Sequence, residues 1–228
     1  MDFDRDFLAR CLDNDDFPGL RGLIESLKKD PAAAEILERL AHDRHAEVRS
    51  WAAAVAEKTI GRAALPWLVE MARSDRDFDN RSMALQVILD IDVEAVRPLI
   101  PRLRSQVWHK ETDYALDAAR ALTFIGDRDA LPAMRALAES WDPNIYYRKM
   151  LGTYVLALDG QADVILERIR SHDHICVGWL AYAASAFIRT PEARAVLEWG
   201  AENLPDDQCR RDCARFLREG RWLPPVDG

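Results

Sequence analysis

The stretch DRHAEVRSWAAAVAEKTIGRAALPWLVEMARSDRDFDNRSMALQVILDI, residues 43–91, reads one helical phrase twice. An aspartate opens each phrase and an arginine follows six residues later: Asp43 with Arg49, then Asp75 with Arg81. The two aspartates are 32 residues apart. The pair returns as Asp142 and Arg148, and Asp142 lies 67 residues beyond Asp75. A further copy begins at Asp173, with Trp179 in place of the arginine. Self-similarity with a period of about 33 residues marks a stack of helix pairs, each unit leaning on its neighbours.

Working outward, each unit has a polar turn, a B helix, a second turn and an A helix. The polar turns read AHDRH (41–45), RSDRD (73–77), SWDPN (140–144) and SHDHI (171–175). The apolar spacing predicts B helices over 48–60, 80–91, 114–125 and 147–159. Breaks follow at Gly61, Asp92, Gly126 and Gly160. Glycine there accepts the left-handed backbone that ends a helix. Pro66, Pro98, Pro132 and Pro191 mark the starts of the next helices, where a missing N–H costs nothing. The third unit lacks the pair, with Gln106 or a neighbour in the aspartate's place. The expected organisation is a single repeat domain over 1–228. Cap helices occupy 1–30, repeats 31–204, and a cap helix with a tail 205–228.

The phrase EVRSWAAAVAEKTIGRAALPWL (47–68) resembles a HEAT-like repeat unit, through its Val-Arg, Ala-Ala, Ile-Gly and Leu-Pro elements. NRSMALQVILDI and DALPAM match in part. The resemblance implies an all-α, HEAT-like α-solenoid, a right-handed superhelix of roughly six or seven antiparallel helix pairs. It implies that Asp43, Arg49, Asp75, Arg81, Asp142 and Arg148 form a structural ladder between neighbouring repeats. It also implies a B-helix wall along a concave face. Proteins similar in this way include scaffolds, immunity and adaptor proteins, bilin lyase subunits, alkylpurine DNA glycosylases and deoxyhypusine hydroxylase. Fold analogy does not choose among them.

The whole chain narrows the choice. Its 228 residues carry 39 Asp and Glu against 31 Lys and Arg, a net charge of −8, with pI about 5.2. Binding to duplex phosphate needs a basic stripe, so nucleic acid is not the expected partner. Hydrophobic residues make up 49%, which suits a folded chain. Four cysteines and an acidic start, MDFDRDF, predict a reduced, cytoplasmic protein with no membrane span.

Candidate chemistry is sparse. His42 and His45 sit in one turn, and His172, Asp173, His174 and Cys176 in another. All are competent ligand types, but the spacing matches no metal signature and reads as polar turn. The paired His-Glu dipeptides of the iron-binding hydroxylases are absent. Cys209 and Cys213 share a helix face beside Arg210 and Arg211, which could favour thiolate, but a spacing of four is not a C-x-x-C redox motif and the pair reads as small packed hydrophobes. No catalytic residue, metal or cofactor is assigned.

Counting along the B helices gives the groove candidates. Eight past the ladder aspartates stand Trp51, Met83, Met150 and Ala181; eleven past, Ala54, Gln86 and Thr153; fifteen past, Lys58, Asp90 and Ala157. The third unit adds Asp117, Arg120 and Phe124. The binding candidates are therefore Trp51, Lys58, Met83, Gln86, Asp90, Arg120 and Met150. The Trp–Met strip either packs between repeats or anchors a partner helix. The expected function is a non-catalytic protein-binding scaffold or adaptor, of an immunity or regulatory kind, with a basic partner. The alternative is a bilin lyase-type subunit or a divergent alkylpurine DNA glycosylase.

Overall fold

Alanine at repeat-equivalent positions lets the helices close on one another. Ala52, Ala53 and Ala56 on one B helix, and Ala84 on the next, are fully buried. Their small side chains bring the two backbones near, and Val48, Leu85 and Ile88 fill the space beside them. The computed structural model describes residues 3–108, 112–141, 146–171 and 191–219. Among these the chain is all-α, an α-solenoid of thirteen helices without a strand. It divides into two compact units, Met1–Ala95 and Val96–Gly228.

The first unit holds α1 (Arg5–Asp13), α2 (Phe17–Leu27), α3 (Ala33–Ala41), α4 (Ala46–Thr59), α5 (Leu65–Ser74) and α6 (Phe78–Ile91). α3 packs on α4 and α5 on α6, and α4 lies against α6. Short turns between packed neighbours make these antiparallel pairs. α1 and α2 also pack on α4, through the buried Leu8, Cys11 and Leu27. The start of α2 is set by Asp16, whose side chain accepts from the Gly19 N–H at 3.1 Å, with Pro18 in the first turn.

The second unit holds α7 (Ile100–Gln106), α8 (Thr112–Phe124), α9 (Leu131–Ser140), α10 (Tyr146–Asp159), α11 (Ala162–Arg170), α12 (Pro191–Asn203) and α13 (Asp207–Glu219). α8 is buried almost all round, from Tyr114 through Phe124 with Asp117 half-exposed, and it packs between α7 and α10. α12 and α13 form the last pair, closed over Val196, Leu197, Cys213 and Phe216.

The four B helices lie within two residues of their expected ends. Gly61, Gly126 and Gly160 take positive φ of 55°, 75° and 83°, the left-handed backbone that side chains resist. Asp92 ends α6 differently, in extended backbone at φ −161°. Pro66 and Pro132 stand in the first turns of α5 and α9. Pro98 departs from that pattern. It lies within a 3-10 segment, Val93–Leu99, and Pro101 is the proline in the first turn of α7.

Candidate functional site: a laddered pair of helices and its exposed face

The arginine of each phrase sits in the first turn of its B helix, and the partner carboxylate of Arg49 belongs to the next phrase. Arg49 donates from Nε and Nη2 to the two carboxylate oxygens of Asp75, at 2.7 and 2.8 Å. Its Nη1 donates to the carbonyls of Asp43 and Arg44, at 2.9 and 3.2 Å. One guanidinium thus fastens its own turn and the next one. The two side chains are 5% and 7% exposed, so this is a buried, bidentate pair. Arg81 repeats the inward half, donating to the Asp75 carbonyl at 2.6 Å. Arg148 donates to the Trp141 carbonyl at 2.6 Å. Asp142 lies outside the described residues, as do Asp173, Trp179, Ala181 and the His172–Cys176 cluster.

Asp43 has a partner that carries no aspartate six residues ahead of it in the sequence. Arg5, the first residue of α1, donates to Asp43 from Nε at 2.9 Å and Nη2 at 2.8 Å. α1 thus offers Arg5 to Asp43 as α4 offers Arg49 to Asp75. Both aspartates also accept a backbone N–H two residues on, from His45 and from Asp77, each at 2.8 Å. They brace the turn and leave the helix cap to others. In α6 the cap is Asp77, whose side chain accepts from the Asn80 N–H, while α4 has no side-chain cap. Buried Asn80 adds a cross-repeat bond to the Ala46 carbonyl at 3.1 Å.

These contacts set the local electrostatics. The Arg5 hydrogen bonds hold the Asp43 carboxyl well below the usual carboxylate range, against an opposing push from burial. For Asp75, burial pushes upward most strongly, yet the Arg49 bonds and the Asp77 N–H outweigh it, and the carboxyl lies below its ordinary value. Arg49 is raised by the same Asp75 bonds.

Two features escaped the sequence. The third unit replaces the ion pair with a neutral one: the buried Gln106 amide donates to the Tyr114 hydroxyl. Tyr114 occupies the first turn of α8, as Arg49 does in α4. A second set of rungs joins the opposite turns. Arg62 pairs with Asp92, Arg104 with Asp127 and Asp129, and Arg135 with Asp159 at 2.7 Å. The acceptors Asp92, Asp127 and Asp159 follow or close successive B helices. Their spacing could have been seen, but the arginines shift between turn and helix and show no constant offset.

The groove candidates separate by burial. Trp51 is 8% exposed and packs against Phe3, ring centroids 6.3 Å apart. The N-terminal segment covers it, so it does not stand on an open wall. Met150 and Arg120 are likewise buried. Lys58 and Ala54 are exposed on α4; Met83, Gln86 and Asp90 are half-exposed on α6. Of the remaining tryptophans, Trp67 is buried and Trp108 exposed.

The thiols fit packing, not thiolate. Burial, together with Asp206, pushes Cys209 up to about 11, and burial pushes Cys213 up to about 12. Neighbouring Arg210 is turned to Asp207 and the Leu204 carbonyl. His42 is exposed, and His45 meets Asp43 at 3.0 Å. No group of three metal-competent side chains occurs among the described residues.

Paired helices, with arginine rungs between successive turns, repeat through the first unit, and residues 6–89 match the family model of HEAT repeats. Over that span the chain is similar to HEAT repeats, which supports the α-solenoid fold. The match takes in α1 and α2. No curated protein matches the chain. No helix among the described residues is long and apolar enough to cross a membrane.

Proposed function

We propose that the chain is a non-catalytic, protein-binding scaffold or adaptor, of an immunity or regulatory kind, that receives its partner on the α4–α6 face. HEAT repeats are commonly used for protein interaction, and the family is typically non-catalytic. The observation that carries the reading is a set of repeat-equivalent positions 32 residues apart, Ala54 and Lys58 exposed on α4 and Gln86 and Asp90 half-exposed on α6, on helices locked by a buried Arg–Asp rung. A face held in place before binding loses little conformational freedom on binding. Met83 supplies an adaptable apolar contact next to it. Trp51, Arg120 and Met150 drop out of the proposed face because they are buried.

The partner is a protein with a basic surface, because the chain carries a net −8 and long-range charge steers such encounters. The same balance disfavours nucleic acid. The reading places the chain in the cytoplasm, as one repeat domain working without a cofactor. The test is a photo-crosslinker at position 54 or 86, with a control at the exposed Glu38 of α3. The expected result is one protein captured from 54 and 86, lost at high salt and lost with Asp90→Lys. Equal capture from position 38, or capture indifferent to salt and to Asp90→Lys, would sink the proposal.

A further inference from the structure

Beside the rungs of the first unit lies a cleft of about 370 Å³, lined by the two polar turns and by α5. It is within the size range of small-ligand pockets. Its lining includes the largely buried Trp67 and Met71 of α5 and the exposed Arg44 and Arg76 of the turns. These arginines are repeat equivalents, 32 residues apart, each following its ladder aspartate. Arg76 donates to the Arg44 carbonyl, which holds the two turns together.

Neither guanidinium meets a carboxylate among the described residues. The arginines of the rungs differ from them: Arg5, Arg49, Arg62, Arg104 and Arg135 all pair with aspartates. The acids that line the cleft are already engaged. Asp43 is held by Arg5, Asp75 by Arg49, and Glu70 by Arg73 and the Ser74 hydroxyl. The cleft therefore presents two guanidiniums without carboxylate partners, while its three carboxylates are each engaged by another arginine. None of residues 54, 58, 86 and 90 lines it, so it is distinct from the α4–α6 face.

We infer that this cleft is a binding site for an oxyanion, a carboxylate or phosphate group, carried on a flat apolar body. The planar forks of Arg44 and Arg76 suit two oxygens of such a group. Trp67 and Met71 offer the adjoining apolar surface. The rungs Arg5–Asp43 and Arg49–Asp75 fix both turns, so the two arginines are delivered by rigid backbone.

The test is a calorimetric and NMR titration of the full chain with phenyl phosphate, benzoate, inorganic phosphate and neutral benzyl alcohol. Saturable binding of phenyl phosphate or benzoate is expected, with shifts at the Arg44 and Arg76 Nε–H signals; the tighter of the two identifies the anion. Binding should weaken at least about tenfold in Arg44→Gln/Arg76→Gln, because two charge-assisted hydrogen bonds are lost. Arg62→Gln, whose arginine pairs at the opposite turns, should leave binding unchanged. Because both target arginines are exposed, the double variant should still fold, losing only the Arg76 bond to the Arg44 carbonyl, and its cooperative thermal unfolding checks this. The inference is overturned if neither aromatic anion binds saturably, if the double variant binds as tightly as wild type, or if benzyl alcohol binds equally well. Phenyl phosphate no tighter than inorganic phosphate would overturn the role of Trp67 and Met71.

Discussion

Replacing Asp75 with alanine strands the Arg49 guanidinium inside the first unit. The arginine keeps its bonds to the Asp43 and Arg44 carbonyls but loses its two carboxylate contacts. Its side chain is 5% exposed, so water cannot replace them. Breaking a buried pair from one side costs about 3–5 kcal/mol, a large share of the 5–15 kcal/mol typical of a domain. The assay is urea denaturation of wild type, Asp75→Ala, Arg49→Met and the double variant. The single Asp75→Ala change should lower the midpoint by on the order of 2 M for an ordinary urea slope. The double variant should cost much less than the sum of the singles, with a coupling of at least about 2 kcal/mol, because it buries no uncompensated charge. The same cycle at Arg62 and Asp92, whose side chains are 75% and 21% exposed, should give a smaller coupling that salt reduces. Acid supplies a sign test. Asp75 is held below its unfolded value of about 3.9, so its contribution is complete above that pH and fades as pH falls through the folded value. The gap between wild type and Asp75→Asn should therefore narrow below about pH 4. Additive single variants, or a gap that widens in acid, would refute the ladder as an energetic unit.

Three further outcomes follow from the same geometry. Arg5→Ala should release α1 from Asp43 and uncover Trp51, raising amide exchange over residues 5–13 while α5 and α6 keep their protection; unchanged exchange in α1 would show that apolar packing alone holds it. Gly200→Ala would set a methyl group 2.9 Å from the buried Cys213 sulfur and should destabilise by about 1–3 kcal/mol, with Cys213→Ala restoring much of the loss. Cys209 and Cys213, pushed up to about 11 and 12, should resist alkylation at pH 8 in the folded protein and react quickly once unfolded; fast labelling at pH 8 would contradict the burial that raises them.

Much of the architecture was legible because its signals are local. Alanine and leucine spacing, positive-φ glycines and first-turn prolines each act within a few residues, and they placed α4, α6, α8 and α10 to within two residues. The family match over 6–89 rests on the same repeated phrase. Partner choice was not local. The sequence set Asp43 six residues before Arg49, but Arg49 reaches Asp75, 26 residues away, and Asp43 is taken by Arg5, 38 residues earlier. Nothing within a turn of Arg5 distinguishes it from a surface arginine. Trp51 and Lys58 lie seven residues apart on α4, yet Phe3 covers one and solvent bathes the other.

By itself, then, the sequence determined the period, the helices and their ends, since those follow from backbone conformation and side-chain spacing along a single segment. Only the tertiary structure decided which charges are paired. Burial and pairing depend on what the neighbouring repeat brings within 3 Å, and that separates the sealed rung at Arg49 from the guanidiniums of Arg44 and Arg76 that face the cleft.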